Sequence, residues 1–223
     1  MLPLNNKNNL FELLAQGARV ITPNNRLSAN LLQHYFSYSQ QQTVTKPQCQ
    51  PYGTTLIQLY NLVRLKKPHI NHPKLLNTSQ CQQLWRQIIR ASSHITYNEG
   101  LLASVMEAWS YCEQWLVEPK HRGFEYTPQT HQFQQWWQRF NAILQKRNFI
   151  TELQLITYLL QENQVINSSA LIWSCFDDFT PQQEAFQNHL EKQGLLQYQY
   201  DLKEKSTPTY LMAAPDQKEE HQQ

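Results

Sequence analysis

Glycine is scarce in this chain: its 223 residues include five, at positions 17, 53, 100, 123 and 194, and none of them precedes a lysine. A phosphate loop of the form GxxxxGK[ST] needs its glycines so that backbone N–H groups can wrap the phosphates, and its lysine to reach the terminal ones. ATP hydrolysis by this chain is therefore not expected. The G-x-S-x-G elbow of a serine hydrolase is missing as well. Four cysteines, at 49, 81, 112 and 175, form no CxxC pair, which removes the spacing a zinc site uses. They read as buried free thiols in a reducing compartment. His69 and His72 flank Ile70-Asn71 in a proline-bounded loop, with no second ligand pair to complete a metal site.

Charge is sparse too. Charged residues make up 16% of the sequence and the formal net charge is +2. The pI of about 8.3 falls below the value above about 9 typical of a dedicated DNA-binding module. The basic knot Arg64-Leu65-Lys66-Lys67 fits a helix C-terminus, where cations are favoured, with a phosphate contact as the alternative. No apolar run approaches the ~18 residues of a membrane span, and no basic-then-apolar leader opens the sequence. A cytoplasmic protein without a membrane partner is expected.

What the chain does have is material for a core. Hydrophobic residues reach 40% and aromatics 12%, enough for one good core or a core plus a subdomain. Mean hydropathy is -0.63 because of abundant Gln and Asn rather than charge. The amide runs at 40–42 and 132–135, the second interrupted by Phe133, read as solvent faces and not as a prion-like tract.

Two strand-to-helix junctions organise the chain. The first reads Ala18-Arg19-Val20-Ile21-Thr22-Pro23-Asn24-Asn25-Arg26-Leu27, the second Ala170-Leu171-Ile172-Trp173-Ser174-Cys175-Phe176-Asp177-Asp178-Phe179-Thr180-Pro181-Gln182-Gln183. An open α/β sheet presents such loops at the carboxyl ends of its strands, where these folds bind ligands. A short helix ends at Gly17 ahead of the first junction. A second helix over 27–41 follows it, with Leu27, Leu31, Leu32, Tyr35 and Phe36 at helical spacing. Residues 43–53 read as loop with at most one strand, Thr54 or Thr55 caps the next helix, and 68–77 is a linker. The segment 78–163 reads as all helical. Ser79-Gln80-Cys81-Gln82 matches a capping box, Asn98 and Thr151 stand at N-caps, and Thr127-Pro128 gives a cap followed by proline at the first helical position. After the second junction a helix runs to Gln193 and stops at Gly194, with strands expected over 195–200 and 210–213.

Several groups could carry chemistry. Asp177 and Asp178 stand where a Walker B pair would, one carboxylate for Mg²⁺ and one to orient water; alternatively they only add negative charge ahead of the helix that starts at Thr180. Asn24, Asn25 and Arg26 stand where a phosphate or nucleic acid would approach, and either asparagine could simply cap the helix. Trp136-Trp137 offers a stacking platform for bases or a piece of core. Asp201-Leu202-Lys203-Glu204-Lys205 has the residue types of a nuclease core without its arrangement.

At the two junctions the chain resembles a bacterial family of DNA repair proteins, the AddB/RexB-type subunits of helicase–nuclease complexes, with a UvrD-like N-terminal portion and a C-terminal PD-(D/E)XK nuclease. The family's "TPNRRLA" is similar to Thr22-Pro23-Asn24-Asn25-Arg26-Leu27-Ser28, and its "GFDELTPQQ" to Cys175-Phe176-Asp177-Asp178-Phe179-Thr180-Pro181-Gln182-Gln183. Ala213-Ala214-Pro215-Asp216, with Glu219 and Glu220 after it, is similar to the strand-to-helix start that comes next. The departures are Asn25 for arginine, Cys175 for glycine and Phe179 for leucine. The resemblance implies a degenerate P-loop-NTPase-like (UvrD-helicase-like) parallel-sheet domain over 1–67 and 165–223, with an all-helical insertion over 78–163. It implies no cofactor in this stretch, a Mg²⁺-dependent nuclease downstream of Gln223, and DNA and a helicase subunit as partners. The expected role is non-catalytic, guiding DNA or docking a motor subunit. The rival readings are a protein–protein scaffold unrelated to DNA and an ATPase with an unconventional phosphate loop.

Overall fold

No strand of the sheet exceeds four residues, so its stability depends on what covers it. A computed structural model of the chain describes residues 1–4, 6–39, 47–92, 95–164 and 166–201. In order the elements are β1 (Leu2–Leu4), α1 (Lys7–Ala15), β2 (Arg19–Thr22), α2 (Asn25–Ser39), β3 (Gln48–Pro51), α3 (Tyr52–Lys66), β4 (Lys74–Leu75), α4 (Thr78–Arg90) and α5 (Glu99–Gln114). They continue with α6 (Pro128–Arg147), β5 (Phe149–Ile150), α7 (Leu155–Gln161), β6 (Leu171–Ser174), α8 (Pro181–Lys192) and β7 (Gln197–Tyr200). Five strands form one parallel sheet in the order β1-β7-β6-β2-β3. The fold is α/β, as the junctions predict. The amide run at 40–42, the stretch 202–205, the strand expected over 210–213 and the helix start after it lie outside the described residues.

Successive side chains of a strand point to opposite faces, and both faces here are apolar. Val20, Cys49 and Ile172 pack under α1 and α2 with Leu10, Phe11, Leu31 and Tyr35. Ile21, Leu171 and Trp173 meet α3, α7 and α8 through Leu59, Tyr60, Leu155, Phe186 and Leu190. A parallel sheet needs such cover on both sides. The buried Trp173 indole N–H donates to Gln197 Oε1 at 2.9 Å, and Gln197 Nε2 donates to the Gln187 carbonyl at 2.7 Å. These two bonds carry a polar chain through the core as far as the Gln187 backbone.

The helices α4, α5 and α6 hold a core of their own. Trp85 stacks on Phe140 with ring centroids 4.3 Å apart, and Trp109 meets the same ring edge-on. Trp136 and Trp137 are buried in this cluster, so they pack and do not present a stacking surface. The short parallel pair β4–β5 lies inside what reads as linker and helix.

Local details differ from the sequence reading where a boundary depends on one residue. The three residues of β1 pair with β7 and carry no sequence pattern of their own. Helix α3 starts at Tyr52 with Pro51 at its N-cap. Thr54 and Thr55 therefore lie inside it, and Thr55 Oγ1 donates back to the Pro51 carbonyl at 3.1 Å. The capping box of α4 is Asn77 with Gln80, two residues ahead of the expected one, because asparagine caps as well as serine. Although its sequence groups α7 with the preceding helices, Leu155, Ile156 and Leu159 join the core beneath the sheet. Among the described residues no helix is long and apolar enough to cross a membrane.

Candidate functional site

The chain leaves β2 in one direction across the sheet and β6 in the other. From β2 it passes through α2 to β3, and from β6 through α8 to β7. The sheet therefore has its topological switch point between β2 and β6, and a crevice at the carboxyl ends of those strands is where open α/β folds take ligands. The two strands are in register, with Arg19 beside Leu171 and Ile21 beside Trp173. Thr22 pairs with Pro51 and Ser174 with Tyr200, so four strands end along one line. Two motifs some 150 residues apart in sequence thus meet at one edge.

At the first junction two residues, Pro23 and Asn24, separate β2 from α2. Asn24 is the cap: its Oδ1 accepts from the Leu27 N–H at 3.0 Å. The buried Thr22 hydroxyl donates to the Asn24 carbonyl at 3.0 Å and shares a 2.5 Å hydrogen bond with Ser28 Oγ. The turn is thus closed on itself by its own side chains and leaves no loop to wrap a phosphate. Asn25 and Arg26 are exposed on the first turn of α2, and no contact among the described residues accounts for them.

At the second junction the aromatic residues point inward. Phe176 and Phe179 stack at 5.2 Å, Phe176 meets Trp173 at 5.5 Å, and Tyr52 closes the group at 5.8 Å from Trp173. Burial raises the Tyr52 phenol well above its ordinary pKa. Thr180 caps α8 in a capping box with Gln183, and Pro181 opens the helix. Gln182 Nε2 donates to the Leu153 carbonyl at 2.8 Å. Cys175 turns the chain with φ of 58°, a left-handed conformation suited to glycine. Every residue of the motif has a packing or capping task except Asp177 and Asp178, both exposed.

No protein-family model and no curated protein matches this chain.

Among the described residues, the exposed charges along the line of strand ends are Arg26 beside β2, Asp177 and Asp178 beyond β6, and Asp201 after β7. Asp201 stands one residue past the end of β7. Mg²⁺ held by one or two carboxylates takes the rest of its shell from waters and substrate phosphates, and the two-residue turn offers such phosphates no cradle. Among the described residues no group of three His, Cys, Asp or Glu side chains could hold a metal. His72 is occupied otherwise: its ring nitrogens lie 2.7 Å from Tyr158 Oη and 2.7 Å from the Lys67 carbonyl. Lys67 itself pairs with Glu162 at 2.6 Å. The thiols of Cys49 and Cys81 are free, and burial pushes both up to about 12, where no reactive thiolate forms at neutral pH.

Proposed function

We propose that this chain is a non-catalytic, helicase-like α/β domain of a DNA repair helicase–nuclease subunit, with a degenerate nucleotide site at the β2–β6 switch point. The observation that carries the reading is the meeting of the two signature stretches at the ends of neighbouring, in-register strands. A motor ATPase would place its phosphate loop and metal carboxylates against each other there. Here the first position is a self-capped two-residue turn and the second keeps its carboxylates.

Of the two roles such a domain could serve, docking a motor subunit has more support than guiding DNA. Among the described residues, three exposed carboxylates and one arginine stand at the strand ends, a charge balance that favours a basic protein surface over phosphates, and a DNA path would run on the Arg26 side. Nuclease chemistry with its Mg²⁺ belongs to residues other than those of this chain.

Fluorescence anisotropy of single-stranded and forked DNA, titrated with the chain at several salt concentrations, tests the division of labour. Binding that weakens steeply with salt, and more weakly once Arg26→Ala is introduced, assigns phosphate contacts to α2. No binding at low salt leaves docking as the role. Turnover of Mg²⁺-ATP above background by the purified chain overturns the non-catalytic reading.

A further inference from the structure

Between Glu12 and Glu99 the sequence contains no Asp or Glu, while nine of its 19 lysines and arginines fall there. The formal net charge of +2 therefore conceals an asymmetry: this stretch is basic and the remainder acidic. Charge separated in this way points to a partner of opposite sign. The five principal cavities among the described residues divide along the same line. Three have a glutamate in the wall and two have no carboxylate at all. Those two follow one another along the chain. One, of about 600 Å³, is walled by Arg64, Leu65, Ile70 and His72; the other, of about 380 Å³, has Lys74 and Arg147 in its wall.

Two helices bring basic last turns to this face: Arg64 and Lys66 close α3, and Lys146 and Arg147 close α6. The helix dipole favours cations at each end separately, but it does not require the two ends to meet. They meet at the segment 67–74. Asn148, which follows Arg147, donates from Nδ2 to the Asn71 carbonyl at 3.1 Å, and its own carbonyl accepts the Lys74 N–H at 2.8 Å. The Lys67 carbonyl lies 2.7 Å from the His72 ring. Lys67 pairs with Glu162, but among the described residues Arg64, Lys66, Lys74, Lys146 and Arg147 have no carboxylate partner, and all five are exposed. Arg64 lies over the Tyr60 ring at 5.6 Å, which orders it without neutralising it. Aliphatic side chains stand among these cations. Leu65 is 76% exposed and Ile70 51%, both in the wall of the first groove, and Leu62 is exposed one turn before Leu65.

We propose that this face is a docking surface for an acidic polypeptide segment that carries aliphatic side chains. Its carboxylates meet Arg64, Lys74 and Arg147, and its apolar residues cover Leu65 and Ile70. Charge complementarity sets the sign of the partner, and the aliphatic patch sets its class. A nucleic-acid backbone would use the cations and leave Leu65 and Ile70 in water. The bases of a single strand would need exposed aromatic rings to stack on, and none of the exposed aromatic residues among those described lines either groove. No residue of the strand-end junctions lines them either. The surface therefore does not depend on the DNA-repair reading, and a DNA titration can fail while this docking succeeds.

Fluorescence anisotropy of a dye-labelled peptide of repeating Glu-Glu-Leu units, titrated with the full chain, tests this. Saturable binding that weakens with salt is expected. A Gln-Gln-Leu peptide lacks the charge and a Glu-Glu-Ser peptide lacks the apolar contact; each is expected to bind about tenfold more weakly or worse. On the protein, the double variant Lys74→Gln, Arg147→Gln is expected to weaken binding about fivefold, and Leu65→Ser by about the same factor. These three side chains are exposed, so an unchanged Tm is expected for both variants. Should Leu65→Ser lower the Tm, Ile70→Ser takes its place. Arg122→Gln, an exposed cation beside the opposite end of α6, is expected to leave binding unchanged. Equal binding of the three peptides, binding untouched by the folded variants, or no saturable binding at low salt overturns the proposal. A single-stranded oligonucleotide that displaces the peptide, and whose tighter binding the double variant abolishes, overturns it in favour of nucleic acid.

Discussion

Cys175 holds a left-handed φ of 58° at the end of β6, with its N–H donating to the Tyr200 carbonyl at 2.7 Å. That hydrogen bond fixes the turn, so a replacement must accept the same backbone. Cys175→Val, with two atoms on Cβ, is expected to cost about 1–3 kcal/mol. Cys175→Gly is expected to stay within about 1 kcal/mol of the parent, because relief of strain offsets the greater freedom of glycine in the unfolded chain. Urea denaturation midpoints at constant slope distinguish the two. Glu113 gives a pH signature at the same scale. Its folded pKa lies above the unfolded value, so the folded state holds the proton more tightly. Stability is therefore greatest below the unfolded pKa and falls as pH rises through the folded one. In denaturation curves collected across that window, Glu113→Gln is expected to lack this decline.

At the scale of elements, the helix ends set the accuracy of sequence reasoning. Asn98, Thr127 and Thr180 are legible as caps because each stands before an apolar run with its hydrogen-bonding partner in place. Thr180→Ala is expected to cost about 1 kcal/mol through the lost bond to the Gln183 N–H, measurable as a lowered Tm without loss of the fold. Where the structure uses a less obvious residue, such as Pro51 ahead of α3, the reading slips by a few positions. Strands of two or three residues, β1, β4 and β5, show no alternation to read. The strand-end site is visible in sequence because its polar residues interrupt apolar runs. The surroundings of Glu113 are not, since Gln154, which donates to it, follows in sequence only after the whole of α6.

For the whole molecule, a helical core separate from the two that cover the sheet implies two units of opening. Phe140 sits at the centre of the helical one, fully buried between Trp85 and Trp109. Phe140→Ala is expected to cost about 3–5 kcal/mol. Hydrogen exchange should accelerate in α4, α5 and α6 well before it does in β2 and β6. Uniform acceleration across the sheet would show instead that the helical core and the sheet open as one.

The order of strands carries a consequence for synthesis. The outermost strand β1 is made first, yet its partner β7 is among the last of the described elements to emerge, with Leu2 resting against Tyr198. Beside β2 only β3 is supplied early; β6 arrives after the entire helical segment. A nascent chain can therefore bury Trp85 and Phe140 while its first strand still waits unpaired. The strand ends that carry Arg26 and the two aspartates come together only after the helical segment has emerged, when Leu171 pairs beside Arg19.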